Sequence, residues 1–337
     1  MQMEYGTREL TLAETFTIAR GSSDVETVVW VSVTSGGQTG LGEGAPDERY
    51  DETPERACEE IARAQALLGD DPLALEQVER RLRASLRSMV ALRAIEGALH
   101  DLAGKLLGQP TWRLLGLAGA TPETSFTLGI ASIEATVEKA HAAVAAGYRR
   151  LKIKVGGADD LARLEAIRGV CALPIRVDAN EGWTLEAARE ILPQLRRFGV
   201  ELIEQPFPAA DLESFRGLRA LAPGIPIVVD EGCHTLADVA AVAGYADGIN
   251  IKLDKTGGIR EAIRMVHAAR ALDLTVMLGC MIESSLGIAA AAQLASLCDF
   301  VDLDGHLLLR DDPFSGLGLE EGRIVLSERP GLGVVER

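Results

Sequence analysis

From about residue 125 onward the sequence repeats one pattern: a short apolar, β-favouring run, a loop, then an Ala/Leu/Glu/Arg-rich stretch with helical spacing. The runs are "SFTLGI" from Ser125, "RLKIKV" from Arg150, "IRVDAN" from Ile175, "ELIEQP" from Glu201, "PIVVDE" from Pro226, "GINIKLD" from Gly248, "TVMLGC" from Thr275 and "FVDLDG" from Phe300. Successive starts lie 22 to 27 residues apart. Parallel strands cannot be joined by a tight turn and need a crossover, usually a helix, so this alternation specifies parallel βαβ units. Eight units at even spacing suit closure, which predicts an α/β fold of the TIM (β/α) barrel kind over residues 121–310. An open doubly wound sheet is the other arrangement such alternation permits. No GxGxxG follows the first run, which counts against dinucleotide binding there.

The first 120 residues are patterned differently. "ETVVWVSVTSGG" and "TGLGEGAP" predict a hairpin turning at "SGGQTG", and residues 54 to 117 are helical in pattern. The last segment, "GLGLEEGRIVLSERPGLGV", returns to short β and turn character. A modified barrel is therefore expected, with an α+β capping domain over residues 1–120. A C-terminal segment, 311–337, is expected to return to the cap. No low-complexity linker separates the parts, so tight packing is expected.

Charge and cysteine content narrow the function class. A net charge of -16 and a pI near 4.8 argue against nucleic acid and anionic membrane as partners. The five cysteines (58, 171, 233, 280, 298) are odd in number and form no CxxC pair, which fits a reducing compartment. "MQMEYGTREL" lacks an apolar signal core, and charges interrupt every long apolar stretch. A soluble, cytoplasmic protein is expected.

Barrel chemistry sits at the C-terminal ends of the strands. There the second run carries Lys152 and Lys154, the third Asp178, the fourth Glu204, the fifth Asp230, the sixth Lys252 and Asp254, and the eighth Asp302 and Asp304. Asp178, Glu204 and Asp230 are spaced by one βα unit each time, so their carboxylates should converge. Each alone could be a helix cap or turn residue. Three bare carboxylates together repel, and a hard divalent cation resolves the conflict; Mg²⁺ and Mn²⁺ both satisfy such an all-oxygen set. Lys152 and Lys154, at i and i+2, share one strand face. Lys252 lies four strands away, on the opposite side of the barrel. Ammonium groups near other cations are pushed toward lower pKa and can serve as bases near neutral pH. Lysines facing one another across a bound substrate could exchange a proton on either face of one carbon. The bland alternative is that they neutralise barrel carboxylates. Asp302 and Asp304, again at i and i+2, form a cation-selective pair or a loop-capping one.

These residues are similar, in order and placement, to those of the enolase superfamily. "LKIKV", "VDANEGW", "IEQP", "VVDEGCHT", "NIKLDKTGG", "MLGCMIESSLG" and "DLDG" carry the resemblance, which points to the muconate-lactonizing-enzyme branch and, within it, to dipeptide epimerases of the L-Ala-D/L-Glu kind. "FTIARGSSD" and "GEGAPDERYDET" extend it over nearly the whole chain. The resemblance implies that Asp178, Glu204 and Asp230 hold Mg²⁺, with Asn180 supporting them. Lys154 would be the acid/base on one face and Lys252 on the other, with Asp254 orienting Lys252. Lys152 would tune Lys154 and touch the substrate carboxylate. Asp302 and Asp304 would receive the free ammonium of a dipeptide; Thr127 and the main chain at Cys280 and Met281 would line the site. The implied reaction removes the proton next to a carboxylate, giving an enediolate, and returns one from the opposite side.

The second residue of the substrate stays open. A glutamate side chain would want a cation near residue 20, where Arg20 is the candidate. In "ARGSSDVET", however, Ser22, Ser23 and Asp24 follow where relatives often show another basic residue. His234 and His306 read as loop residues, and Trp183 and Tyr50 as packing between barrel and cap. An o-succinylbenzoate synthase, an N-acylamino acid racemase or a cycloisomerase would keep both lysines and the acidic triad. In the first two, Asp302 and Asp304 would have no ammonium to bind. A barrel that binds a small ligand without catalysis is a further class. Relatives commonly form symmetric assemblies, so a homo-oligomer is expected.

Overall fold

The computed structural model describes residues 1–337. Eight short strands form one parallel sheet in strict chain order: β4 (Phe126–Leu128), β5 (Leu151–Lys154), β6 (Ile175–Asp178), β7 (Val200–Glu204), β8 (Ile227–Val229), β9 (Gly248–Ile251), β10 (Thr275–Leu278) and β11 (Phe300–Val301). The sheet curls until its ends meet: Thr124 bridges Val301, and Ser125 N donates to the Val301 carbonyl at 3.2 Å. Every predicted strand is present.

Side-chain alternation then fixes what the barrel contains. Leu151 and Ile153 of β5 belong to the 59-residue apolar cluster beneath the helices, whereas Lys152 and Lys154 take the other parity. On the inward parity, Leu202, Val228 and Met277 pack into a small separate cluster with Phe300 against it, and the Arg176 guanidinium lies 5.0 Å from the Phe300 ring centroid. One pleat further toward the strand ends, the same parity delivers Asp178, Glu204, Asp230 and Lys252. The register sets Lys154 opposite Asp178 and Asp178 opposite Glu204. Charged groups therefore sit on an apolar floor.

The crossover helices are α5 (Ile133–Ala145), α6 (Asp160–Val170), α7 (Leu185–Arg197), α8 (Leu212–Leu221), α9 (Leu236–Val242), the short α10 (Leu253–Thr256), α11 (Ile259–Ala271) and α12 (Ser285–Ala292). Side-chain caps at Ser132, Thr184 and Asp211 satisfy first-turn amides, which is why the helices start where they do.

The capping domain contains a strand that the pattern did not announce. β1 (Gln2–Ile18) pairs antiparallel with β2 (Gly21–Ser35), which pairs with β3 (Gln38–Gly44). β1 is half-exposed and its charged residues hide the alternation. Helices α1 (Pro54–Ala64), α2 (Leu75–Ser85) and α3 (Met89–Leu107) cover this sheet, followed by the short α4 (Thr111–Leu114). Together sheet and helices bury an 18-residue core separate from that of the barrel. Close approach of β3 to α3 requires glycine: a Cβ on Gly42 would lie 2.0 Å from the Ala94 carbonyl oxygen. The C-terminal segment divides its allegiance. Ile324, Leu326, Leu332 and Val334 join the barrel core rather than the cap core. Leu332 N is nonetheless held by Asp101 of α3, and Glu336 pairs with Arg8 of β1. No helix is long and apolar enough to cross a membrane.

Candidate active site

The strand ends open into a cavity of about 720 Å³ between barrel and cap. Lys152, Lys154 and Lys252 line it from the barrel; Arg20 lines it from the β1–β2 turn and Tyr50 from the loop before α1. Thr127, Cys280, Met281, Asp302 and Asp304 are also in its wall, and Asn180 forms part of its floor. A dipeptide falls within the size range of such clefts.

The lysines meet the carboxylates directly. Lys152 Nζ lies 2.8 Å from Asp302 Oδ2, 2.8 Å from Glu204 Oε2 and 3.1 Å from Asp178 Oδ2. Lys154 Nζ donates to Asp178 Oδ2 at 2.7 Å, and Lys252 Nζ lies 2.7 Å from Asp230 Oδ2. These carboxylates set the charge of two of the lysines. Burial would lower the Lys152 pKa, but Asp302, Glu204 and Asp178 overcome it and hold the ammonium well above its ordinary value. Lys252 is likewise held up, chiefly by Asp230 against the effect of burial. For Lys152 the proximity of Lys154 does not dominate, because three carboxylates lie within 3.1 Å of its ammonium.

The acids respond in kind. Lys154 and Lys152 outweigh burial and drive Asp178 below its ordinary value, and Lys252 and Lys255 do the same for Asp230. Glu204 goes the other way: burial and the neighbouring Asp178 charge push it up to about 7. Glu204 Oε2 and Asp230 Oδ2 face ammonium groups but have no directed hydrogen bond. The pocket thus holds more negative charge than its lysines fully satisfy. In this arrangement the lysine ammonium groups stand among the three carboxylates, which do not form a closed ligand set. The donor set of three buried carboxylates, two of them with an oxygen that lacks a hydrogen bond, still fits a hard divalent cation.

Several supporting residues escaped the sequence reading. Lys255 Nζ, fully buried, donates to Asp230 Oδ1 at 2.6 Å and to the carbonyls of Cys233 and Asn250 at 3.0 Å. Asn250 Nδ2 donates to Glu204 Oε1 at 2.8 Å, and Gln205 Oε1 accepts from Asp230 N at 2.8 Å. Asn250 could have been found, since it stands two residues before Lys252 on the same strand parity. Asn180 N donates to Asp178 Oδ1 at 2.9 Å.

Three of the expected site residues are engaged by protein partners. Asp254 makes no direct contact with Lys252: its Oδ1 accepts from Ala45 N at 2.7 Å and its Oδ2 pairs with Arg93, both in the cap. The backbone turns into α10 directly after Lys252, which swings the i+2 side chain away from the pocket. Asp302 is held by neighbours, its Oδ2 accepting from Lys152 at 2.8 Å and its Oδ1 from Ser125 Oγ at 2.7 Å. Asp304 accepts from Thr127 N at 2.6 Å; burial and the Asp302 charge push its carboxyl up to about 7. Arg20 is engaged as well, its Nη1 donating to the buried Glu231 Oε1 at 2.6 Å and to the Asn180 carbonyl at 3.2 Å. His234 accordingly remains a loop residue, with Nε2 3.0 Å from the Glu231 carbonyl and its ring edge-on to Tyr50.

Known proteins resemble this chain over nearly its whole length. Residues 5–116 match the mandelate racemase / muconate lactonizing enzyme N-terminal domain, and residues 135–336 match the enolase C-terminal domain-like family. An L-Ala-D/L-Glu epimerase from Bacteroides thetaiotaomicron is 39% identical over 340 residues, covering 100% of this chain and 88% of the relative. An L-Ala-D/L-amino acid epimerase from Pedosphaera parvula is 40% identical over 344 residues, covering 98% of this chain and 97% of the relative. A crystal structure of a dipeptide epimerase from Enterococcus faecalis, complexed with Mg and L-Leu-L-Tyr, superposes with a TM-score of 0.93 at 32% identity, covering 99% of both chains.

Proposed function

The chain belongs to the mandelate racemase / muconate lactonizing enzyme family of the enolase superfamily, and from that premise we propose that it is a dipeptide epimerase acting at the α-carbon of the C-terminal residue. The observation that carries the proposal is the placement of Lys154 and Lys252 on β5 and just past β9, four strands apart around an eight-stranded barrel, with both ammonium groups lining one cavity.

Each lysine serves one face of the carbon. One, in its neutral form, takes the α-proton; the other, as an ammonium, returns a proton from the opposite side, and the centre inverts. Lys152 stays cationic on Asp302 and opposes the negative charge that grows on the substrate carboxylate as the proton leaves. Asp304, backed by the Thr127 amide, receives the substrate ammonium. A divalent ion, Mg²⁺ by analogy with the liganded relatives, would be held by Asp178, Glu204 and Asp230, where it would supply positive charge to the substrate carboxylate and draw those acids' charge away from the lysines.

The second side chain of the substrate projects toward the capping loops. There Arg20 is paired with Glu231 and Arg49 with Glu181, while Glu26, Asp47 and Glu48 line the cavity without an ion-pair partner. Neutral or cationic second residues suit this wall better than glutamate.

A dipeptide panel in D₂O with Mg²⁺ tests the proposal. Deuterium should enter the second residue's α-position with inversion, and a chelator should stop it. Turnover of N-succinyl amino acids with no dipeptide exchange would instead assign the racemase reaction.

A further inference from the structure

The two bases are supported from different domains. Lys154 is fixed within the barrel: Arg163 Nη1, from α6, donates to the Lys154 carbonyl at 3.0 Å, and Nη2 donates to the Gly129 carbonyl at 2.9 Å. Lys252 is held by its own turn: its carbonyl accepts from the Lys255 and Thr256 amides at 3.0 and 3.1 Å, and Lys255 Nζ donates to the Asn250 carbonyl and to Asp230. The Lys252 side chain touches Asp230, and the turn that follows it is seated on α3 of the cap.

Arg93 is the centre of that seat. It lies on α3, is 1% exposed, and reaches across the domain boundary. Nη1 pairs with Asp254, two residues after Lys252; Nη2 donates to Glu283 Oε2 at 2.5 Å and to the Gly287 carbonyl at 3.1 Å. Glu283 Oε1 in turn accepts from Met281 N at 2.9 Å, so the same guanidinium also holds the Met281 stretch of the cavity wall, which follows the strand beside β9. Shape reinforces charge. A Cβ at Gly257 would lie 2.6 Å from Leu92 Cδ2, and one at Gly258 would lie 1.6 Å from Glu96 Oε2, so the backbone after Lys252 rests directly on α3.

We propose that Arg93 is a positioning residue for the Lys252 half of the reaction, through Asp254 and Glu283. This rests on the two-base reading above. Small displacements of a reacting group carry large rate penalties, whereas Lys154, clamped by Arg163, should feel little of a change at Arg93.

The test is face-resolved exchange. Wild-type protein with Mg²⁺ is given each epimer of an accepted dipeptide separately in D₂O, and initial deuterium uptake is followed by NMR. Lys154→Ala and Lys252→Ala define which epimer gives its proton to which base. Arg93→Lys and the isosteric Asp254→Asn should each slow uptake through Lys252 by about tenfold or more and uptake through Lys154 by less than about threefold. Equal losses on both faces, or none, overturn the proposal. Should Arg93→Lys fail to fold, Asp254→Asn and Glu283→Gln carry the comparison. If the wild-type protein exchanges neither epimer of any dipeptide, the epimerase reading falls by itself. Arg93 is then judged by amide hydrogen exchange in Arg93→Lys, or in Asp254→Asn should Arg93→Lys not fold. Faster exchange confined to residues 253–257 and 281–284 sustains the positioning role, and unchanged exchange there overturns it.

Discussion

Lys152 and Lys154 sit two residues apart but keep different company, and the difference assigns their roles. Lys152 is surrounded by Asp302, Glu204 and Asp178, which lock it as a cation; Lys154 meets Asp178 alone. A permanently charged lysine suits electrostatic stabilisation, and a less encumbered one suits proton transfer. Lys154→Ala and Lys252→Ala should each reduce inversion by about 10³-fold, with wash-in of deuterium surviving from one epimer only. A quantitative NMR time course checks this, and unimpaired inversion in both variants would refute the two-base scheme. Arg20 yields a specificity prediction. Because Glu231 already neutralises it, Ala-Glu should be turned over no more than about threefold faster in kcat/KM than Ala-Gln, a difference of about 0.7 kcal/mol. A preference of a hundredfold for glutamate would show that Arg20 leaves Glu231 for the substrate. The strand-end acids and lysines were legible from sequence because strand parity is local. Arg93 and Glu283 were not, since they meet across 190 residues and each looks like an ordinary helix or loop charge.

Element by element, legibility followed burial. All eight barrel strands showed as apolar runs because they are buried on both faces, as parallel strands are. β1 was missed because it is half-exposed and reads as charged over 17 residues. The seat of α10 on α3 was equally hidden: "TGG" announces a turn, but not what the turn presses against. Gly258 has φ +128° and no room for a side chain. Gly258→Ala should therefore destabilise the fold by about 3 kcal/mol, from backbone strain together with displacement of the Glu96 carboxylate. Urea denaturation measures it; Gly224→Ala, with positive φ but open space around it, should lose less. Equal losses at the two sites would mean that the close packing on α3 contributes nothing.

At the scale of the whole molecule, two apolar cores are joined by buried charge. Residues 29–102 supply the cap core, residues 128–334 the barrel core, and Arg93 with Asp254 and Glu283 lies between them. Two carboxylates around one guanidinium leave an excess negative charge in a dry place. Burial, aided by Asp254 and opposed by Arg93, pushes Glu283 up to about 8. The sign of the consequence is fixed by linkage. A carboxyl whose folded pKa lies above its ordinary 4.5 binds a proton in the native state that the unfolded chain releases, so native stability grows as pH falls from about 8 toward 4.5. With a net charge of -16, general self-repulsion relaxes in the same direction. Glu283→Gln separates the two contributions: it holds the site neutral at every pH while leaving the surface charge in place. Metal-free wild-type protein should gain stability from pH 8.5 to pH 6 by up to about 1.4 kcal/mol per unit more than Glu283→Gln does. Denaturant titrations at the two pH values give the slopes, and parallel slopes for the two proteins would place the excess charge elsewhere than at the junction of cap and barrel.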